Sequence, residues 1–366
     1  LFFVAASITF LIFKDLTSQS DPVKIDFDND SICRILSLRH SVARVLSLAD
    51  IFQIGYYWET KILLTAMKLD LFSALKGQSL AVNEVADTLN LNPRALELVM
   101  NALVAMRVLA KEDKRYANTP VAERHLVQSS SDYVGHLLLL HDAEWSHWGQ
   151  LEQTVRTGQS PVTQHVFETN PELGAHVLTV LDRIGRGSGQ GLAERVPLHG
   201  ARRMLDIGGG AGTNAIAFCL EHPGLSATVF DLPQTLRMTK QRVESVGLEN
   251  RIHLQSGNFL VDAFEGPYDI ALMSDILHYQ DGRANAALVE KVYGCLSEGG
   301  RLIIKDRFLD SSKTSPAWTT AFAVHIMVNT ECGECFTIRE SRQWMEQAGF
   351  HMVEELEPCA MIQGTK

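Results

Sequence analysis

From residue 203 onward the chain alternates strand-like with helix-like runs, and that alternation constrains the fold more than any other feature. The strand-like runs read RMLDIG, SATVFDL, RIHLQSG, YDIALMSDIL and GRLIIKDRFL. Helical stretches such as NAIAFCLEH, LRMTKQRVESVG and ANAALVEKVYGCLSEGG lie between them. Alternating strand and helix specifies an α/β unit with a mostly parallel sheet and helices on both faces. In such sheets ligands bind beyond the carboxyl ends of the strands.

The first of these strands runs into LDIGGGAGTN, residues 205–214. No strand continues through five small residues, so the chain turns there. Gly208, Gly210 and Gly212 fit D-x-G-x-G-x-G with Asp206 at its head. Glycine takes backbone angles that other residues resist and lets a ligand touch the main chain. A dinucleotide pyrophosphate turn requires G-x-G-x-x-G, but position 213 is Thr, so the spacing is wrong for NAD. Asp206 would disfavour a pyrophosphate and favour a cation, such as the sulfonium and ammonium of S-adenosylmethionine. Asp231 ends the second strand and can accept both hydroxyls of a ribose. The competing reading is a tight turn that binds nothing.

The first half of the chain reads differently. Residues 1–13 are apolar but shorter than the roughly 20 residues of a spanning helix. They read as a truncated signal or anchor, a helix packed on a partner, or an extension without a role. A polar linker follows to residue 31. From 32 to 190 the pattern is mainly helical, and 191–366 forms the α/β unit. Within the helical part, one amphipathic helix ends near Asn90, and Asn92 and Pro93 can cap and open the next. VLAKEDKRYANT then alternates on both sides of a polar turn, as a hairpin does. Two helices and a hairpin make a winged-helix pattern. Its reading helix carries one Arg94 against one Glu97, so it offers phosphates almost nothing, and a DNA-binding regulator is the weaker reading. Burial of its apolar helices against a second copy is expected instead.

The 366 residues, 46% of them hydrophobic, suffice for two domains. A net charge of -10 argues against nucleic acid and anionic membrane partners. Six cysteines in so long a chain do not resemble a disulfide framework, so a cytoplasmic protein is expected. Cys332 and Cys335 form a C-x-x-C, but zinc would need another close pair, and only Cys359 remains nearby. No metal site is expected, and the thiols read as pocket lining.

Six segments in order, LDIGGGAG, VFDLP, SGNF, SDILHYQD, GGRLIIKDRFLD and GECFT followed by WMEQAGF, resemble the class I O-methyltransferases of the caffeate and acetylserotonin type and their bacterial relatives. The resemblance covers roughly residues 50–366. It implies a helical, winged-helix-like dimerisation domain followed by a Rossmann-like methyltransferase domain. It also implies a homodimer and methyl transfer from S-adenosylmethionine to a hydroxyl of a small, aromatic or polyketide-like acceptor. Some relatives bind the same cofactor yet decarboxylate or hydroxylate, which is the alternative activity.

By position, the resemblance places Gly208 in the cofactor loop, Asp231 and Leu232 at the ribose and adenine, and Asn258 and Phe259 at the adenine edge, with Asn where the family usually has Asp. Ser274 stands where plant members have Lys. His278 matches the catalytic base, and its competing reading is a histidine satisfied at a strand end. An imidazole of ordinary pKa, about 6.5, can take a hydroxyl proton near neutrality. Asp306 matches an acid that orients the base, against a helix cap or surface ion pair. A second family acid is replaced by Cys335, and Glu331 or Glu334 could substitute. His141, Trp145 and Trp148 fall on one helical face and could wall the acceptor or pack a core, and His325 and Met327 raise the same alternatives.

Overall fold

The central apolar runs read as strands are largely buried, as a sheet covered on both faces demands, whereas Ile252–Ser256 at the sheet's edge is more open. The structure, a computed structural model, describes residues 46–162, 170–198 and 200–366. Expectations for residues 1–45, including the apolar start and the linker, lie outside the described residues. The described chain divides into two units, one ending at Ser146 and the other beginning at His147.

In the first unit, α1 (Leu48–Gly55) and α2 (Trp58–Lys68) are followed by the short α3 (Leu71–Ala74). A two-residue strand β1 (Leu80–Ala81) leads into α4 (Val82–Leu89) and α5 (Pro93–Ala105). The Asn92 side chain caps α5 by accepting from the amide of Ala95 at 3.0 Å, and Pro93 occupies the first turn, where no amide is missed. The hairpin forms as β2 (Leu109–Glu112) and β3 (Arg115–Asn118), and β1 adds to it in the order β1-β3-β2. Helix, helix and wing therefore appear as the pattern implies. Met100, Leu103, Phe72 and Tyr116 fill the core under them. In contrast, α1 buries none of its residues, and Ile51, Phe52 and Ile54 stand exposed on it, with Trp58 beyond. After α6 (Pro120–His125) comes α7 (Gly135–Ala143). It stops at Glu144, and Trp145–Trp148 form a separate turn, α8. The single helical face expected for His141, Trp145 and Trp148 is therefore broken.

The second unit starts earlier than the expected residue 191. After α9 (Leu151–Thr157), the long α10 (Pro171–Arg195) packs along α11 (Thr213–Glu221). Gly189 lets them approach: a Cβ there would lie 3.3 Å from the Asn214 side chain. The sheet has seven strands in the order β6-β5-β4-β7-β8-β10-β9. Its parallel members are β4 (Arg203–Ile207), β5 (Ser226–Asp231), β6 (Ile252–Ser256), β7 (Tyr268–Ser274) and β8 (Leu296–Lys305). The remaining helices are α12 (Pro233–Ser245), α13 (Gly282–Cys295), α14 (Ala317–Asn329) and α15 (Ile338–Ala348). An antiparallel pair, β9 (His351–Glu357) and β10 (Met361–Thr365), completes the edge beside β8. Leu272 and Ile303 belong to one apolar layer of the sheet, and Met273 and Ile304 to the other. No helix among the described residues is long and apolar enough to cross a membrane.

Candidate active site

The order of the sheet reverses between β4 and β7, because the chain moves outward through β5 and β6 and then returns to the other side of β4. At such a switch the loops after neighbouring strands part and leave a crevice. The glycine turn follows β4 at this place. Gly208, Gly210 and Gly212 all have left-handed backbones, with φ of 64°, 56° and 77°. Gly209 lies directly over Asp206, where a Cβ would come within 2.8 Å of the carboxyl carbon. Several ties hold the turn. The Gly208 amide donates to the Phe230 carbonyl at 2.8 Å, the Gly210 amide to Asp231 Oδ2 at 2.8 Å, and Thr239 Oγ1 to the Gly210 carbonyl at 2.6 Å. Thr213, at the start of α11, donates to Asp182 Oδ1 at 2.8 Å, and Arg186 and Arg242 hold the other oxygen of that buried carboxylate. Thr239 and Asp182 were not singled out in the sequence, because neither belongs to the motif they support.

Asp206 sits beneath the turn rather than on its surface, with no exposed area. Its Oδ2 accepts from the Ala215 amide at 3.2 Å, while Oδ1 has no hydrogen-bond partner. Burial pushes its carboxyl up to about 7. Asp231 is half-buried at the end of β5, and burial raises its pKa while its hydrogen bonds oppose the rise. Oδ1 accepts from Leu232 and Oδ2 from Gly210, the Thr235 side chain adds a further hydrogen bond, and the carboxylate keeps acceptor capacity beyond these. Asn258 is exposed and uses its Oδ1 to accept from the Leu260 amide at 2.9 Å, which leaves its amide nitrogen as a donor. Phe259 and Ser274 are half-buried, and Ser274 donates to Asp275 Oδ2 at 3.0 Å. A turn without side chains, which lets a ligand touch the main chain, beside the Asp231 carboxylate at the end of β5, suits a ribose-bearing cofactor.

His278 lies in a 3-10 turn (Leu277–Tyr279) just past the end of β7, slightly beyond the strand itself. Asp306 follows the last residue of the neighbouring β8. His278 Nδ1 and Asp306 Oδ1 are 2.7 Å apart, with the side chains 5% and 4% exposed. Asp306 also accepts from the amides of Leu277 at 2.9 Å and Arg307 at 2.7 Å. A carboxylate with three donors around it is an acceptor only, so Nδ1 carries the proton and the lone pair of the neutral ring lies on Nε2. Gln280 and Asn285 brace the turn from below, the latter donating to the Leu277 carbonyl at 2.9 Å. Gly333 closes on it from above. A Cβ there would stand 2.3 Å from the His278 carbonyl oxygen, so the GECFT segment begins with the one residue that fits.

A row of rings leads away from His278. Phe322 meets it edge-on at 5.1 Å between centroids, and Phe322 stacks against Trp318 at 4.8 Å and His325 at 5.8 Å. Trp148 lies 6.2 Å from His325. Phe322 and Trp318 had no sequence signal beyond being aromatic. Trp145 belongs to the other unit, near Tyr57 and under the Lys61 ammonium, and His141 is buried there beside Glu144. Met327 is half-buried on α14. Of the two possible substitutes for the second acid, both Glu331 and Glu334 are exposed, and Glu334 lies 3.7 Å from Lys313. Cys335 is buried, its thiol pushed up to about 12 by desolvation. It borders a tight cavity of about 140 Å3 together with His278, Asp306 and Arg307. A roomier cavity of about 720 Å3, bordered by Phe264, Pro267 and Lys291, lies at the opposite end of β7 and holds no paired acid and base.

Residues 149–351 match the model of the O-methyltransferase domain, and residues 53–128 match that of the O-methyltransferase dimerisation domain. The tetracenomycin polyketide synthesis 8-O-methyl transferase of Streptomyces glaucescens is 29% identical, over 82% of this chain and 91% of that protein. A 3-hydroxy-5-methyl-1-naphthoate 3-O-methyltransferase of Streptomyces sahachiroi is 31% identical, over 80% and 86%. Human N-acetylserotonin methyltransferase in complex with S-adenosylmethionine superposes with a TM-score of 0.74, at 22% identity, over 89% of this chain and 99% of that one.

Proposed function

The chain belongs to the O-methyltransferase family and uses S-adenosylmethionine, and from that premise we propose that it methylates a hydroxyl of an aromatic or polyketide-like acceptor with His278 as general base. The observation that carries the proposal is the buried His278–Asp306 pair, at 2.7 Å, beside a row of rings at the carboxyl ends of β7 and β8. S-adenosylmethionine supplies a methyl group on its sulfonium. The side-chain-free main chain of the glycine turn lets it approach, the Asp231 carboxylate holds it, and Leu232, Asn258, Phe259 and Ser274 border the purine side. Asp206 supports the turn from beneath and places a carboxyl under the cationic end.

His278 Nε2 faces the acceptor hydroxyl and takes its proton as the oxygen attacks the methyl. Asp306 keeps the ring in the tautomer that leaves Nε2 unprotonated, and stabilises the imidazolium that forms. Phe322 and His325 align a flat acceptor, and Trp148 borders it. Alignment is a large share of the catalysis, because two bound groups held in line no longer have to meet by chance. The aromatic row and the polyketide and naphthoate activities of the two bacterial relatives support the acceptor class. A homodimer joined through the N-terminal unit completes the proposal, supported by its match to the dimerisation domain.

The test is product mass and turnover with labelled S-adenosylmethionine across a panel of phenols and hydroxynaphthalenes. Products heavier by one methylene support transfer, whereas loss of carbon dioxide or gain of oxygen would point to the alternative chemistry. His278→Ala should lower turnover by about 10²–10⁴ and leave cofactor affinity nearly constant. Full turnover by that variant on a weakly acidic phenol would reject His278 as the base.

A further inference from the structure

We propose that Arg307 binds an anionic substituent of the acceptor, so that the preferred acceptor is a hydroxylated arene bearing a carboxylate. The proposal rests on the methyl-transfer reading above for the place of the acceptor, but its own support is separate. Arg307 is the residue after Asp306, and its amide is already committed to the Asp306 carboxylate. Its guanidinium lies over Trp318, 4.4 Å from the ring centroid, and 5.3 Å from the centroid of Phe322. Phe322 is the ring that meets His278 edge-on at 5.1 Å. One phenyl ring therefore spans the space between the base and the guanidinium.

This cation pairs at long range with Asp275, a carboxylate it shares with Lys305. The adjacent carboxylate is Asp275, and Lys305 takes it at 2.7 Å, with Ser274 also donating to the same oxygen. Arg307 approaches the other oxygen of Asp275 only to 3.8 Å, beyond a hydrogen bond. Asp275 has a left-handed backbone, φ 57°, unusual for a residue other than glycine, and its amide is tied to the Lys305 carbonyl at 2.8 Å. The backbone is thus held so that the carboxylate faces the lysine. The Asp306 carboxylate is occupied by His278 and two amides. Among the described residues no acceptor lies within hydrogen-bonding distance of the Arg307 guanidinium. Its guanidinium carbon lies close to two aromatic rings, and its side chain is 38% exposed. A guanidinium beside aromatic rings, with N–H groups unspent on hydrogen bonds, suits a planar carboxylate, which it grips through two parallel hydrogen bonds. A lysine on the same strand end would offer only a point charge.

The test uses the full-length protein with S-adenosylhomocysteine and two matched probes, 3-hydroxy-1-naphthoate and 3-hydroxy-1-naphthamide, with affinities read by titration calorimetry. The native protein should bind the acid about ten- to a hundredfold more tightly than the amide, the range of a charge-assisted pair. In Arg307→Gln that ratio should fall to near one, and Arg307→Lys should restore part of it. A thermal melt of each variant reports whether it is folded, and Arg307→Met provides a second neutral variant that keeps apolar contact with Trp318. Equal affinities in the native protein, or an acid preference that survives in both neutral variants, would overturn the proposal. So would weakened binding of S-adenosylmethionine with the acid preference intact, since Arg307 would then grip the cofactor's carboxylate. Acid-selective binding without methylated product would leave this inference standing and refute the methyl-transfer reading.

Discussion

Replacing Asp306 with Asn isolates the contribution of the carboxylate from that of the base. The side chain is 4% exposed and accepts three hydrogen bonds, two on Oδ1 and one on Oδ2. An asparagine has one acceptor oxygen and an NH2 that can only donate. With its oxygen at the Oδ1 position, it keeps His278 and Arg307 and turns the NH2 against the Leu277 amide. The reverse orientation sets the NH2 against two donors, so the first is adopted. One buried amide is then left without an acceptor, which costs roughly 1–3 kcal/mol of stability. The imidazole keeps its orientation, but the imidazolium formed on proton transfer now leans on a neutral oxygen. A charge-assisted hydrogen bond is about twice as strong as a neutral one, so roughly 1–2 kcal/mol of transition-state support disappears. At about 1.4 kcal/mol per factor of ten, turnover should fall by roughly five- to thirtyfold, less than for His278→Ala. Steady-state rates over a series of phenols, with denaturant unfolding in parallel, measure both effects. The loss in rate should shrink as the phenol becomes more acidic, since a more acidic hydroxyl needs the base less. A variant that loses stability yet turns over weakly acidic phenols at the native rate would make Asp306 a structural tie, and the reasoning would fail.

Asp231→Ala should weaken S-adenosylmethionine binding by about ten- to a hundredfold in calorimetry, because a hydrogen bond to a charged group contributes roughly 1.5–3 kcal/mol; unchanged affinity would remove Asp231 from the cofactor site. Asp206→Asn should change how stability depends on pH. With its carboxyl raised from 3.8 to about 7 in the folded protein, the native state holds a proton that the unfolded chain has released between those values. Native stability therefore falls as pH rises through that window and levels off above it, by on the order of 4 kcal/mol at most. The Asn variant should gain on the parent from pH 5 to pH 7.5 in urea unfolding, and parallel curves would show that Asp206 does not titrate there. Phe52 is 56% exposed on a helix with no buried residue, so Phe52→Glu should shift the protein toward monomer in light scattering. An unaltered dimer would place the interface elsewhere.

The features legible in the sequence are those whose causes are local. Apolar runs separated by helical stretches specify buried parallel strands whatever lies around them, so β4, β5, β6, β7 and β8 could be located in advance. The Asn92–Pro93 cap and the hairpin after α5 are likewise short-range. The left-handed backbone of Gly208, Gly210 and Gly212 follows from the need to turn sharply after β4. The closing pair β9 and β10 was not legible, because HMVEELE at the sheet's edge carries charges that blunt pairing with other chains and hide its strand character. The interruption at Glu144 was also hidden, since apolar spacing runs on through a break that carries neither Gly nor Pro. What only the tertiary structure decided is which side chains meet. His278 and Asp306 are 28 residues apart, and they come within 2.7 Å because β7 and β8 pair in parallel and in a register that ends both strands together. Nothing local marks Arg307 as lying over Trp318, Phe322 as touching the imidazole or Gly333 as pressing on its backbone. Those contacts arise where separate elements pack, and packing depends on the register and volume of every neighbour at once.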